Sequence, residues 1–246
     1  MAKKRVGIDI NEVLRARWLQ ADRFYAQEFG EEGIPENELE QYVYDIWDGY
    51  IWKDTVETIQ EMREPEDTPE DINPIDYEVG VDGKAPADFM LFKPKVKKEL
   101  TAREMYNRFM YEDFNFEIHG AAPKLYPQLD TDVDKFLQKY EDTVDFTIMS
   151  VENRFSIPPT LFFMSKIQAK FKDYKFLDNP LDMWKHVDVL ITTNPAILKM
   201  GVPWGKKLIK LNRPFNMNLK KSSMEAVQIV ELIENVEFEK IIKYKN

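Results

Sequence analysis

The stretch that most constrains this chain is Lys4-Arg5-Val6-Gly7-Ile8-Asp9-Ile10-Asn11. A short apolar run bounded by polar residues reads as a buried strand. It closes on an aspartate, and an asparagine follows two positions later. From Glu12 to Phe29 the apolar residues Val13, Leu14, Trp18, Leu19, Phe24 and Tyr25 recur at helical spacing, which predicts a helix stopped by Gly30 and Gly33. A buried strand feeding straight into a helix belongs in an open α/β sheet. Such sheets place their ligands at the carboxyl ends of the strands. Asp9 is therefore the first candidate functional residue.

Further buried strands are expected at Val144 to Ser150, Tyr174 to Leu177, Val187 to Ile191 and Leu208 to Leu211. Helices are expected after Asn37 (with Leu39, Tyr42, Val43 and Ile46), at Thr101 to Phe109, from Asp130 or Thr131 to Tyr140, and at Leu161 to Phe171. A short one should open at Pro195, and a last should run from Ser222 or Ser223 through Ala226, Val227, Ile229, Val230 and Ile233. Strands alternating with helices predict an α/β fold, a three-layer parallel sheet covered on both faces. The spacing assigns residues 1–29 and 119–246 to that core, and 30–118 to a helical cap inserted after the first strand. Within the insertion, 64–88 is too rich in Pro, Asp and Glu to pack a core of its own.

Charge separates the same two regions. Residues 31–90 carry 19 acids against the bases Lys53, Arg63 and Lys84, a net of -16 in a chain of net -10. An acidic total argues against general nucleic-acid binding, which needs clustered Lys and Arg. The run Lys93, Lys95, Lys97 and Lys98 is the one place where a nucleic acid could be met. A solvated face or a counter-charge for the acidic insert is the weightier reading. No apolar stretch approaches a membrane span, and there is no cysteine to form a disulfide, a thiolate nucleophile or a zinc-thiolate site. His119 and His186 lack partners at metal-ligand spacing and are expected at surface or cap positions. Trp47, Tyr50 and Trp52 fall in one aromatic cluster. Three fates are open to them: cap core, a stacking platform, or a protein interface; core is the commonest, and an interface, where Trp and Tyr dominate the binding energy, is the next.

With these elements placed, the chain resembles the haloacid dehalogenase (HAD-like) superfamily. Strand-Asp9-Ile10-Asn11, strand-Ser150 and strand-Thr192-Thr193-Asn194-Pro195 fall where that family carries its first, second and fourth motifs. The segment from Asp188 to Leu198 looks most like the 5′-deoxyribonucleotidase branch, including HAD-like proteins encoded by tailed bacteriophages. The resemblance implies phosphoryl transfer. An Asp attacks phosphorus, a second Asp two residues on moves the proton, a Ser or Thr holds the phosphoryl oxygens, a Lys offsets their charge, and acids after the fourth strand help to hold Mg²⁺.

Residue by residue, the match is partial. Asp9 stands at the nucleophile and Ser150 at the phosphate-binding hydroxyl. Asn11 replaces the acid/base Asp, and an amide cannot shuttle a proton. Thr192 and Thr193 replace the metal-binding acids. Asp182 falls near the expected Lys, with Lys185 three residues on as a possible substitute. The site therefore reads as degenerate, with Asp9, Asn11, Ser150 and Lys185 vestigial and no metal or cofactor expected. The expected function is a structural or interaction subunit of a larger assembly, in the cytoplasm or in a tailed-phage virion as a connector, ring or tail protein, with other protein subunits as partners. The alternative is a Mg²⁺-dependent 5′-nucleotidase working through an aspartyl phosphate on Asp9, with Ser150 and Lys185 on the phosphate and Asp9, aided by Asp188, on the metal.

Overall fold

In the computed structural model of this chain, residues 3–30, 33–34, 50, 52, 56–59, 96–167, 169, 171–219 and 225–242 are described. In chain order the elements are β1 (Lys4–Asp9), α1 (Arg17–Phe29), β2 (Val56–Ile59), β3 (Val96–Glu99) and α2 (Ala102–Arg108). Two π-helical turns follow (Phe109–Asp113 and Phe116–Gly120), then α3 (Leu129–Tyr140), β4 (Val144–Val151), α4 (Ile157–Lys166) and β5 (Asp173–Leu177). The chain continues through α5 (Met183–His186), β6 (Val189–Thr192), α6 (Pro195–Met200), β7 (Lys207–Leu211), β8 (Ala226–Val230) and α7 (Phe238–Ile242).

Six strands form one sheet in the order β5-β4-β1-β6-β7-β8, and every pairing in it is parallel. The α/β expectation therefore holds. One face is closed by Val6, Ile8, Val133, Phe136, Phe163 and Ile209 among others. The other is closed by Met149, Met183, Trp184, Leu190, Ile197 and Leu208. Val6 and Ile8 point to the first face, so Gly7 faces the second. A Cβ there would lie 2.7 Å from Met149 Sδ and 3.1 Å from both Leu190 Cδ1 and Val187 Cγ1. The glycine is required by this close approach.

Two expectations change. The first helix begins at Arg17 rather than Glu12, because Leu14 N–H and Arg15 N–H both turn back onto Ile10 O. Glu12 sits in the left-handed region at φ 58°, which a helix cannot accommodate. The segment is then stitched to 123–125 by Ala16 N–H to Pro123 O and Leu125 N–H to Leu14 O. The expected C-terminal helix is instead the edge strand β8, paired with β7 across an irregularity at Leu208/Ile209. Its Val227, Ile229 and Val230 are β-branched and suit a strand better than a helix.

The chain divides into two compact units, 1–51 with 102–246, and 52–101. Helix α2 and both π-helical turns belong to the unit of the sheet. In the second unit the described segments are not helices but β2 and β3, paired antiparallel with Val56 opposite Glu99 and Ile59 opposite Val96. The helix expected after Asn37, the acidic stretch 64–88, Trp47, Lys93 and Lys95 lie outside the described residues. The side chains of Lys97 and Lys98 are likewise not described.

Gly7→Ala should lower stability by about 1–3 kcal/mol through overpacking, read as a lower urea midpoint at unchanged slope. An unchanged midpoint would mean that Met149 gives way freely.

Candidate functional site

The carboxyl ends of β4, β1 and β6 lie side by side because β1 is paired to both neighbours. Asp9 and Thr192 close β1 and β6, Ser150 is the last but one residue of β4, and all three are buried. Asp9 is 2 % exposed, and its Oδ2 accepts from Thr192 Oγ1 at 2.8 Å. Thr192 Oγ1 in turn accepts from Asn194 N–H at 3.0 Å. Thr193 Oγ1 donates to Asn11 O at 3.1 Å. Asn194 also caps α6 through Ala196 N–H, and Pro195 follows at its first turn, as the sequence suggests.

A residue that sequence reasoning passed over holds this site together. The Arg15 side chain is fully buried, and each of its five N–H groups has a partner. Nε and Nη2 donate to Asn11 Oδ1 at 2.9 and 2.6 Å. Nη1 donates to His119 O at 2.7 Å and to Thr160 Oγ1 at 2.8 Å. The second Nη2 hydrogen goes to Glu152 Oε1. Glu152 also accepts from Ser150 Oγ at 2.8 Å and from Ser156 Oγ at 2.6 Å. Asn11 Nδ2 donates to Ser150 Oγ at 3.1 Å. Arg15, Asn11, Ser150 and Glu152 thus form a closed ring of polar bonds beside Asp9. The available signal was an arginine set directly against Val13, Leu14 and Ala16, four residues after Asn11.

The two carboxylates of this region have opposite environments. Burial pushes Asp9 up to about 6, against the donors Thr192 and Asn11 and the charge of Arg17. Burial would raise Glu152 too, but Arg15, followed by His119, Arg17 and Ser156, holds it down at about 2. His119 is buried rather than at the surface. Burial depresses its pKa to about 3, so it is neutral at pH 7. Its ring stacks on Tyr111 with centroids 5.4 Å apart, and Nδ1 lies 3.1 Å from Asn115 O. The turn that carries it packs against α4, which leaves no path to solvent.

Lys185 does not join the site. Its side chain is 71 % exposed and ion-paired to Asp182 at 2.7 Å. Asp188 lies at the amino ends of the strands, where Arg5 Nη2 donates to it at 2.9 Å and Arg5 holds its pKa down at about 2. It is four strand positions from Asp9 and cannot share a metal with it. Tyr50 is buried against Tyr25, with centroids 4.7 Å apart, and its hydroxyl donates to Asp22 at 2.8 Å. Its ring therefore packs with the hydrophobic side chains of the described chain. Trp52 is half-buried. His186 is half-buried and lines a concavity of about 1090 Å³ together with Arg5, Asp145, Lys172, Asp173 and Lys175. That hollow lies toward the amino ends of the strands, away from Asp9.

The donor set does not fit Mg²⁺, which prefers carboxylate and water oxygens in an octahedron. Asp9 is the single carboxylate on β1, and the hydroxyl of Thr192 points its proton at it. Glu152 is committed to Arg15. Among the described residues, no group of three or more His, Cys, Asp or Glu side chains is arranged to hold a metal. No helix of the described residues is long and apolar enough to cross a membrane.

No protein-family model matches this chain, and no curated protein matches it. Among solved structures, one named as a haloacid dehalogenase-like hydrolase from Burkholderia xenovorans LB400 superposes with a TM-score of 0.50 at 11% identity, over 98% of this chain and 99% of its own. A haloacid dehalogenase-like family hydrolase from Streptococcus pneumoniae gives 0.49 at 8% identity, over 94% and 95% of the two chains. One from Bacteroides fragilis gives 0.47 at 12% identity, over 95% and 99%. At such identity the Burkholderia structure speaks for the fold alone, and the fold is HAD-like.

Removing one partner of a buried ion pair strands the other charge. Arg15→Ala should therefore cost about 3–5 kcal/mol of stability. The double variant Arg15→Met, Glu152→Met should recover much of that loss in chemical denaturation. A double variant as unstable as the two single losses combined would contradict this account of the pair.

Unfolded Asp titrates near 3.9, whereas native Asp9 keeps its proton to about 6. Between these values the native state binds the extra proton, so its contribution is present below about pH 4 and fades as pH rises through 6, by roughly 2–3 kcal/mol. Asp9→Asn should remove this slope and raise the melting temperature at pH 7. A variant that keeps the slope would place its origin elsewhere.

Proposed function

We propose that this chain is a catalytically degenerate protein of HAD-like fold that acts through its surfaces, as a structural or interaction subunit of a larger assembly. The observation that carries this reading is the saturated Arg15 guanidinium bonded to Asn11 and Glu152. Ser150, the hydroxyl that would hold phosphoryl oxygens in the resembling family, gives its proton to Glu152 and receives one from Asn11. A phosphoryl group taken up by Ser150 would have to draw that hydroxyl away from Glu152 and Asn11, leaving buried polar groups short of a partner at a cost of about 1–3 kcal/mol. Asn11 offers no proton to a leaving oxygen, and the donors around Asp9 fit Mg²⁺ poorly.

The alternative, a Mg²⁺-dependent 5′-nucleotidase forming an aspartyl phosphate, is favoured by one observation: Asp9 itself, at the carboxyl end of the central strand. The finer reading of the assembly as a tailed-phage virion rests on the resemblance carried by Asp188 to Leu198 alone. Its direct check is the presence of the chain in purified particles.

Incubated with deoxynucleoside monophosphates and Mg²⁺, the purified chain should release no orthophosphate, and Mg²⁺ should leave its melting temperature unchanged. Phosphate release that Asp9→Asn abolishes would overturn this reading in favour of the nucleotidase.

A further inference from the structure

Helix α4 runs Ile157-Pro-Pro-Thr-Leu-Phe-Phe-Met-Ser-Lys166 and is apolar on more than one side. Phe163 and Met164 are buried in the sheet core. Leu161 and Phe162 face the other way, 44 % and 47 % exposed. A helix apolar on both sides ordinarily buries both. Phe162 meets Phe116, itself 47 % exposed, with ring centroids 5.0 Å apart. Phe155 is 53 % exposed, and its carbonyl is held by the neighbouring Asn115 side chain at 2.8 Å. Phe116 and Phe162 thus form an outward aromatic pair, with Phe155 tied to the residue before Phe116 and Leu161 exposed beside Phe162, a local concentration of exposed apolar side chains of the kind that marks an interaction site.

Cations stand at both ends of this surface. The Arg154 guanidinium lies 4.7 Å from the Phe155 ring, and Lys166 Nζ lies 5.5 Å from the Phe162 ring. The chain carries the complementary segment in its own sequence. Residues 64–88 hold nine acids against Lys84, and the run Asp71-Ile72-Asn73-Pro74-Ile75-Asp76-Tyr77-Glu78-Val79 interleaves those acids with apolar anchors. Two copies of a chain of net charge -10 repel one another. They can meet favourably where an acidic segment of one finds a basic, apolar surface of the other.

We propose that the aromatic surface formed by Phe116, Phe155, Leu161 and Phe162 is the docking site for the acidic stretch 64–88 of a second copy of this chain. The contact joins two different surfaces, so repeated copies close into a ring or extend into a filament. The inference rests on the reading of this protein as one that works through its surfaces, and it names the partner.

The test is sedimentation of the full chain over a concentration series, with a labelled peptide of residues 64–88 titrated onto the same chain. Association should grow with concentration, weaken as salt is raised, and be competed by the peptide. Phe162→Ser should weaken peptide binding about tenfold, as loss of a buried aromatic anchor does. Arg154→Glu, at an exposed position, should weaken it about threefold without touching the core. The full-length variant Asp71→Asn, Asp76→Asn, Glu78→Gln should fail to associate. A chain that stays monomeric at every concentration, or an association unmoved by these substitutions, would overturn the inference. Phosphatase turnover would instead overturn the reading beneath it, so the two failures are distinguishable.

Discussion

The fold turns on the guanidinium of Arg15. Its five hydrogen bonds reach the loop after β1, the loop after β4, helix α4 and the turn that ends at Gly120. A charge buried this deeply is tolerated only when its donors are all satisfied and a counter-charge is in contact. Both conditions are met, the second by Glu152. The Phe163 ring, 5.7 Å from the guanidinium carbon, closes the apolar side. The carboxyl ends of the strands, where open α/β sheets hold a ligand, are here held by the protein's own ions.

That arrangement explains why two nearby carboxylates behave differently. Glu152 has Arg15 in contact and is a strong acid, whereas Asp9 has a threonine hydroxyl and is a weak one. A carboxyl group titrating near 6 still ionises by pH 7, so the two differ in how readily each takes a proton rather than in charge at neutral pH.

The central strands were legible because a buried parallel strand is a short β-branched run with a polar stop, and β1, β4, β6 and β7 all have that form. Asp9, Ser150 and Thr192 were legible as strand ends for the same reason. Arg15 was not, since its partners lie 104, 137 and 145 positions away, beyond any local pattern. His119 was missed in the same way, its burial coming from α4 and Tyr111. The segment Ala226–Val230 satisfies helical and strand spacing alike, and only the free edge of β7 decides between them. The early start assigned to the first helix failed on one residue, Glu12, whose left-handed backbone is set by the return of the chain to Ile10. Its carboxylate then accepts from Trp18 N–H at 2.9 Å, capping the helix that begins later.

The position of β1 has a kinetic consequence. It precedes the other five strands of the sheet in sequence and lies between β4 and β6, with Val6 opposite Phe146 on one side and Val189 on the other. Both of its edges stay unpaired until most of the chain has been made. Contacts so distant in sequence raise the loop-closure cost and slow folding. An apolar strand waiting with two open edges is also a target for wrong pairing. The long acidic insertion falls within that waiting interval.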